Sequence, residues 1–228
     1  MKNVISMVCF LILYGCTNQL EIDKGKVDKA FNKTNLPFAV LGVSLDKNDP
    51  VFYSYGDSNP DAIFEIASMT KAITSTAVMQ LVEEGKIDLD LSIEEYLPEI
   101  NQIKILNKDL SSSERDIPIT MRHLLTHTSG FVYFFNSLQV MEDLGMSPGD
   151  WPQPEALSPD EYDWGFNAPQ PRQIFEAGDR WHYGRSLGIA GRVIERVSGL
   201  DLDTYFKENI FEPLGLDRSG YNLSQSVR

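Results

Sequence analysis

At Ser68 the apolar residues of this chain change their spacing. Upstream, the run Phe38-Ala39-Val40-Leu41-Gly42-Val43-Ser44-Leu45 has strand composition and stops at Asp46-Lys47-Asn48-Asp49-Pro50, a cluster of turn formers. Val51 to Tyr55 then reads as a return strand, so the segment predicts a β-hairpin, with Pro50 at the start of the second strand where a missing N–H is tolerated. From Ser68 to Glu84, by contrast, Ala72, Ile73, Ala77, Val78, Leu81 and Val82 recur at helical spacing, and Gly85 follows as a C-terminal stop. A second helix is predicted over about Ser186 to Val197, where Leu187, Ala190, Val193, Ile194 and Val197 form a stripe ended by Gly199. Leu202 to Ile210 makes a third, closed by Pro213.

With 228 residues, 42% of them hydrophobic and 23% charged, the chain can bury a core, and no Gly/Ser-rich linker or fixed-period repeat divides it. Its 33 acidic residues against 20 Lys and Arg repel phosphate backbones, which argues against nucleic acid as a partner. Between Ser147 and Arg172 lie six of the twelve prolines, with Trp151, Tyr162, Trp164 and Phe166 among them. Such a stretch cannot be a regular helix, and its aromatics favour a packed lid over a floppy linker.

The first residues read as an address. Lys2 supplies a positive start, Val4 to Tyr14 an apolar run too short to span a bilayer, and Gly15-Cys16 a small residue before cysteine. Leu13-Tyr14-Gly15-Cys16 resembles a bacterial lipobox, with Tyr14 in place of the usual small residue; a plain secretory signal or an uncleaved anchor is the competing reading. The expectation is a signal peptide over 1–15, a lipid on Cys16 that holds the chain to the membrane of a bacterial envelope, a polar tether over 16–34, and one partial domain over 35–228. Cys9 leaves with the signal, so a lipidated Cys16 leaves no free thiol, and the chemistry must come from oxygen and nitrogen groups.

Ser68-Met69-Thr70-Lys71 has the form S-x-x-K, and its placement gives it meaning. Ser68 opens the amphipathic helix, so Lys71 lies one turn along the same face, within reach of the hydroxyl. Burial disfavours the charged form of lysine and would free the amine to accept the serine proton. The helix N-terminus favours negative charge developing on a substrate oxygen at Ser68. The plain alternative is a serine N-cap followed by a solvated lysine. His123 and His127, four apart, would share a helical face as a zinc pair does, but no third ligand of fitting spacing stands nearby; they read as structural histidines bonded to backbone. Met69 and Met79 read as helix packing.

Three blocks carry more than the tetrapeptide: IASMTKAITSTAVMQLVEEGKIDLD, ITMRHLLTHTSGF and WHYGRSLGIAGRVIERVSG. In order and approximate spacing they resemble the β-lactamase-related serine hydrolases, which include class C β-lactamases, D-alanyl-D-alanine carboxypeptidases and β-lactamase-like carboxylesterases; the similarity covers roughly residues 35 to 225. The resemblance implies an α+β fold, with an antiparallel sheet, here only its N-terminal hairpin, packed with a mainly helical region. It also implies an acyl-enzyme on a small ester, amide or β-lactam substrate, formed with no metal or other cofactor. Ser68 would be the nucleophile, Lys71 its helper, and Tyr183 the proton shuttle of a Y-x-N box, its acidity raised by the lysine. The third position of that box is Arg185, a donor-only and always charged group in place of an amide, which puts the substrate contact there in doubt; the neighbouring run RSLGIAGRVIERVSG resembles the esterase-like branch, where that Asn is often absent, which mildly favours esters over β-lactams. No separate K-T-G or H-x-G box follows, since His182-Tyr183-Gly184 overlaps the tyrosine box. The expectation is therefore that the chain by itself is inactive or nearly so, and the competing class is a noncatalytic envelope lipoprotein. Oligomeric state is not encoded in any of these features.

Overall fold

A computed structural model describes residues 23–34, 36–44, 50–57, 61–107, 111–133 and 173–221. The signal, Cys16, most of the hairpin turn and the proline- and aromatic-rich stretch up to Arg172 lie outside the described residues. Two compact units divide between Phe64 and Glu65.

In the first unit, part of the range read as tether is a helix, α1 (Lys24–Phe31). Its cause is local: the Asp23 carboxylate accepts the Lys26 N–H at 3.1 Å as an N-cap, and Lys24 pairs with Asp28 at 2.7 Å one turn on. Strands β1 (Phe38–Val43) and β2 (Val51–Gly56) pair antiparallel from Phe38↔Gly56 to Val43↔Val51, as the strand composition on either side of the turn formers predicts. The Tyr55 ring stacks on Phe31 with centroids 4.7 Å apart, and its hydroxyl donates to Asp28 at 2.9 Å. This ties the hairpin to α1.

The second unit holds the core. Helix α2 (Thr70–Glu83) follows a 3-10 turn over Ala67–Met69 and buries Thr74, Ala77, Val78 and Leu81. Met69 and Met79, expected to pack, are instead 66% and 40% exposed, because both fall off that stripe. At Gly85 the backbone takes φ +68°, and the Gly85 and Lys86 N–H groups return to the carbonyls of Val82 and Leu81, each at 2.9 Å. A left-handed residue closes the helix at little cost only where there is no Cβ.

Short strands β3 (Ile105–Leu106) and β4 (Ser112–Ser113) pair next, followed by α3 (Met121–Leu125) and α4 (Ser186–Ser198). Helix α5 (Leu202–Phe206) starts at the Asp201 cap and widens into a π turn over Lys207–Phe211 before Pro213. Helix α4 is the centre: α2, α3 and α5 all pack on it, and it buries Leu187, Ala190, Val193 and Ile194. Ile93, Leu97, Ile100, Ile119, Met121 and Leu124 complete a continuous apolar core around these helices.

Candidate active site

The serine enters on a strained backbone. Ala67, immediately before Ser68, has φ +42°, a region that residues with a side chain rarely occupy and that persists only where the surroundings impose it. Ser68 is the middle residue of the 3-10 turn rather than the cap of α2, whose N-terminus has no side-chain cap. Its hydroxyl instead accepts a hydrogen bond from Lys71 Nζ at 3.1 Å. The capping alternative therefore fails, and the S-x-x-K spacing brings its two ends together as one helical turn requires.

The segment after α3 builds the opposite wall. Thr120 caps α3 by accepting the His123 N–H at 3.3 Å, while His123 Nδ1 accepts the Thr120 N–H at 3.2 Å. The helix ends at Leu125, so His123 and His127 do not share a helical face; His127 turns off it at φ +56°. Each ring binds backbone as the sequence predicts, His127 Nδ1 accepting the Gly184 N–H at 3.4 Å. Ser129 and Ser186, both fully buried, join this turn to the start of α4 through a 2.8 Å contact between their hydroxyls.

Tyr183 lies in the extended segment that leads into α4. Its ring is 4.8 Å from that of His127 and 5.8 Å from that of Tyr133. Lys71 Nζ sits over both tyrosines, 4.9 Å from the Tyr183 centroid and 5.6 Å from the Tyr133 centroid. A Cβ at Gly184 would collide with the Phe131 carbonyl oxygen and Val132 Cα, so the two segments touch backbone to backbone. Arg185 occupies the N-cap position of α4, its carbonyl accepting the Gly188 N–H at 2.9 Å.

The electrostatics correct one expectation. Burial lowers the pKa of Lys71, but hydrogen bonds and charge interactions with Tyr183 and Tyr133 outweigh it, and the net shift is upward. Lys71 is thus held as an ammonium rather than freed as an amine. Tyr183 moves the other way: hydrogen bonds from Lys71 first and Ser68 second lower its pKa, against a small opposing effect of burial. The two shifts are of opposite sign, as expected where each group stabilises the charged form of the other. Burial, then Lys71, then His182 lower the pKa of His127. Among the described residues no group of three His, Cys, Asp or Glu side chains is placed to hold a metal ion.

Ser68, Lys71 and Tyr183 are therefore brought together. Tyr133 and Ala67 escaped the sequence reading: Tyr133 stands two residues beyond the quoted HTSGF, where an aromatic in a loop has no periodicity to mark it, and a strained alanine has no sequence signature.

A family model described as Beta-lactamase matches residues 27–228, and the chain belongs to that family. It is 38% identical over 199 residues to the acyltransferase CalJ of Penicillium decumbens, covering 81% of this chain and 44% of that protein. It is 33% identical over 175 residues to lovastatin esterase of Penicillium rubens, covering 73% and 42%. Among solved structures, the octameric penicillin-binding protein homologue from Pyrococcus abyssi superposes with a TM-score of 0.64 at 27% identity, covering 90% of this chain and 46% of that one. The chain spans less than half the length of each, and its fold is the β-lactamase and penicillin-binding-protein-like α+β fold.

Proposed function

We propose that this chain carries the nucleophilic half of a serine acyl-transfer site that forms an acyl-enzyme on Ser68, with esters as the preferred substrates. What supports this reading above all is Ser68 Oγ at 3.1 Å from Lys71 Nζ, with that ammonium lying over the Tyr183 ring, 4.9 Å from its centroid. The Lys71 ammonium lowers the pKa of Tyr183, and Tyr183 in its phenolate form takes the Ser68 proton as Oγ bonds to the substrate carbonyl carbon. Collapse of the tetrahedral intermediate breaks the bond to the leaving oxygen or nitrogen, which departs with the proton held by Tyr183. Water or a second alcohol then attacks the acyl-serine by the reverse route, giving hydrolysis or transfer.

Esters are favoured because the run RSLGIAGRVIERVSG resembles the esterase-like branch of the family, in which the Asn replaced here by Arg185 is often absent. The similar proteins are described as an acyltransferase and an esterase. Lipidation of Cys16 at a bacterial envelope membrane belongs to the same proposal, and the mass of the mature N-terminus tests it: cleavage anywhere but before Cys16 removes it.

The test of the chemistry is labelling with a fluorophosphonate or an activated ester, followed by peptide mass spectrometry. The expected result, in the chain extended with a relative's C-terminal strands, is one adduct on the Ser68 peptide, absent from Ser68→Ala. Labelling that survives in Ser68→Ala sinks the reading. No adduct on a folded chain favours the noncatalytic alternative, for which Arg185 in the tyrosine box is the supporting observation.

A further inference from the structure

We infer that His127 is the positioning residue that holds Tyr183 against Lys71, gripping the segment 182–184 from its carbonyl, its ring nitrogen and its ring face at once. Only the kinetic consequence rests on the acyl-enzyme reading; the grip itself is geometric. The His127 carbonyl accepts the His182 N–H at 2.8 Å, one residue before the tyrosine. Nδ1 accepts the Gly184 N–H at 3.4 Å, one residue after it. Between these two anchors the imidazole lies 4.8 Å from the Tyr183 ring, and Trp181 makes an edge contact with it at 6.3 Å.

Both anchors come from one residue because its backbone is left-handed. At φ +56° the chain leaves α3 so that the carbonyl and the side chain of His127 address the same neighbouring segment. Histidine visits that conformation more often than most residues with a side chain, but it is still uncommon there, and such a backbone persists where several contacts impose it. The glycine at 184 lets the gripped segment lie directly on Phe131 and Val132.

For Nδ1 to accept, the ring must be neutral with its proton on Nε2. The charged and titratable groups that face it are Lys71 from α2 and His182 and Tyr183 from the gripped segment. Burial, Lys71 and His182 all disfavour the imidazolium. A ring that kept its shape but lost the acceptor would release Gly184 and let the tyrosine drift from the ammonium. Asparagine is the conservative replacement, since its side-chain oxygen reproduces an Nδ1-like acceptor and its backbone tolerates the left-handed region.

The experiment uses the full 228-residue chain with ¹³Cζ-labelled tyrosine, the Tyr183 signal being assigned by its loss in Tyr183→Phe. In the wild type Tyr183 should titrate below the usual tyrosine value of about 10. His127→Phe should move it up toward that value, and His127→Asn should restore most of the depression. Labelling of Ser68 should fall about 10²-fold in His127→Phe, as a misplaced catalytic group predicts, and largely recover in His127→Asn. A folded His127→Phe with Tyr183 titrating as in the wild type overturns the inference, and so do equal shifts in both variants. Should His127→Phe fail to fold, a long-range ¹H–¹⁵N spectrum of the wild type decides: a proton on Nδ1 of His127 overturns the inference, and a proton on Nε2 alone supports it. Absent labelling with the tyrosine shift intact refutes the acyl-enzyme reading and leaves the positioning role standing; unchanged labelling and titration in His127→Phe does the reverse.

Discussion

Lys71 shows how a residue's charge state follows from its company. Burial alone would neutralise it, yet two tyrosines face it and the net shift is upward, while Tyr183 shifts downward. The active form of the pair, tyrosinate with ammonium, is lost on the acid side when the tyrosinate protonates and on the alkaline side when the ammonium deprotonates. The rate of Ser68 acylation should therefore rise with pH through an apparent value below about 10, the ordinary tyrosine figure. Lys71→Ala should move that limb up to about 10 and slow acylation by at least about 10²-fold, as stopped-flow acylation over a pH series would reveal. Tyr133→Phe keeps the ring over Lys71 and removes only the hydroxyl that helps hold its proton. The alkaline limb should then move to lower pH with the maximal rate little altered, and an unmoved limb would leave Tyr133 with a packing role alone.

At the scale of elements, α4 carries both the core and the start of the site. Ile194 is fully buried at the centre of the helical unit, so Ile194→Ala should cost about 2–5 kcal/mol in urea unfolding, the range for a cavity left by a large aliphatic side chain. Gly184, just ahead of α4, has a different task. Gly184→Ala forces its methyl into the Phe131 carbonyl, and overpacking of this kind costs about 1–3 kcal/mol. The acylation rate should fall by more than that loss of stability accounts for, because the displaced segment carries Tyr183; paired melting and acylation measurements check this. The period of the apolar residues was enough to locate α2 and α4, and strand composition around a cluster of turn formers located the hairpin. Helix α1 was not legible, since a short, largely polar helix held by one side-chain cap and two ion pairs has no long apolar stripe. The π turn after α5 was equally silent, for it changes hydrogen-bond partners without changing the apolar spacing.

Across the whole molecule the two units differ in how they are stabilised. The helical unit encloses a continuous apolar core, whereas the hairpin is a two-stranded sheet whose Phe38, Val51 and Phe52 are about half exposed. A two-stranded hairpin is marginally stable by itself, and local opening follows the density of buried contacts. Hydrogen exchange should thus proceed faster in β1 and β2 than in α2 and α4 under native conditions. Equal protection in the two units would show that the hairpin gains stability from contacts beyond its own unit.

The division between what sequence determined and what tertiary structure decided follows the range of the interactions. Ser68 and Lys71 meet because three residues make one helical turn, a relation that holds whatever else the chain does; the main helices follow from a spacing of about 3.6 residues, and the hairpin from strand composition around a cluster of turn formers. The family blocks also carried Tyr183 into the candidate site, but not its surroundings. That Lys71 stays charged, that Tyr133 joins it, and that His127 leaves its helix to grip the tyrosine segment depend on loops remote in sequence packing together. No local period encodes such a meeting, because its free energy comes from contacts that exist only once α3 and α4 have docked.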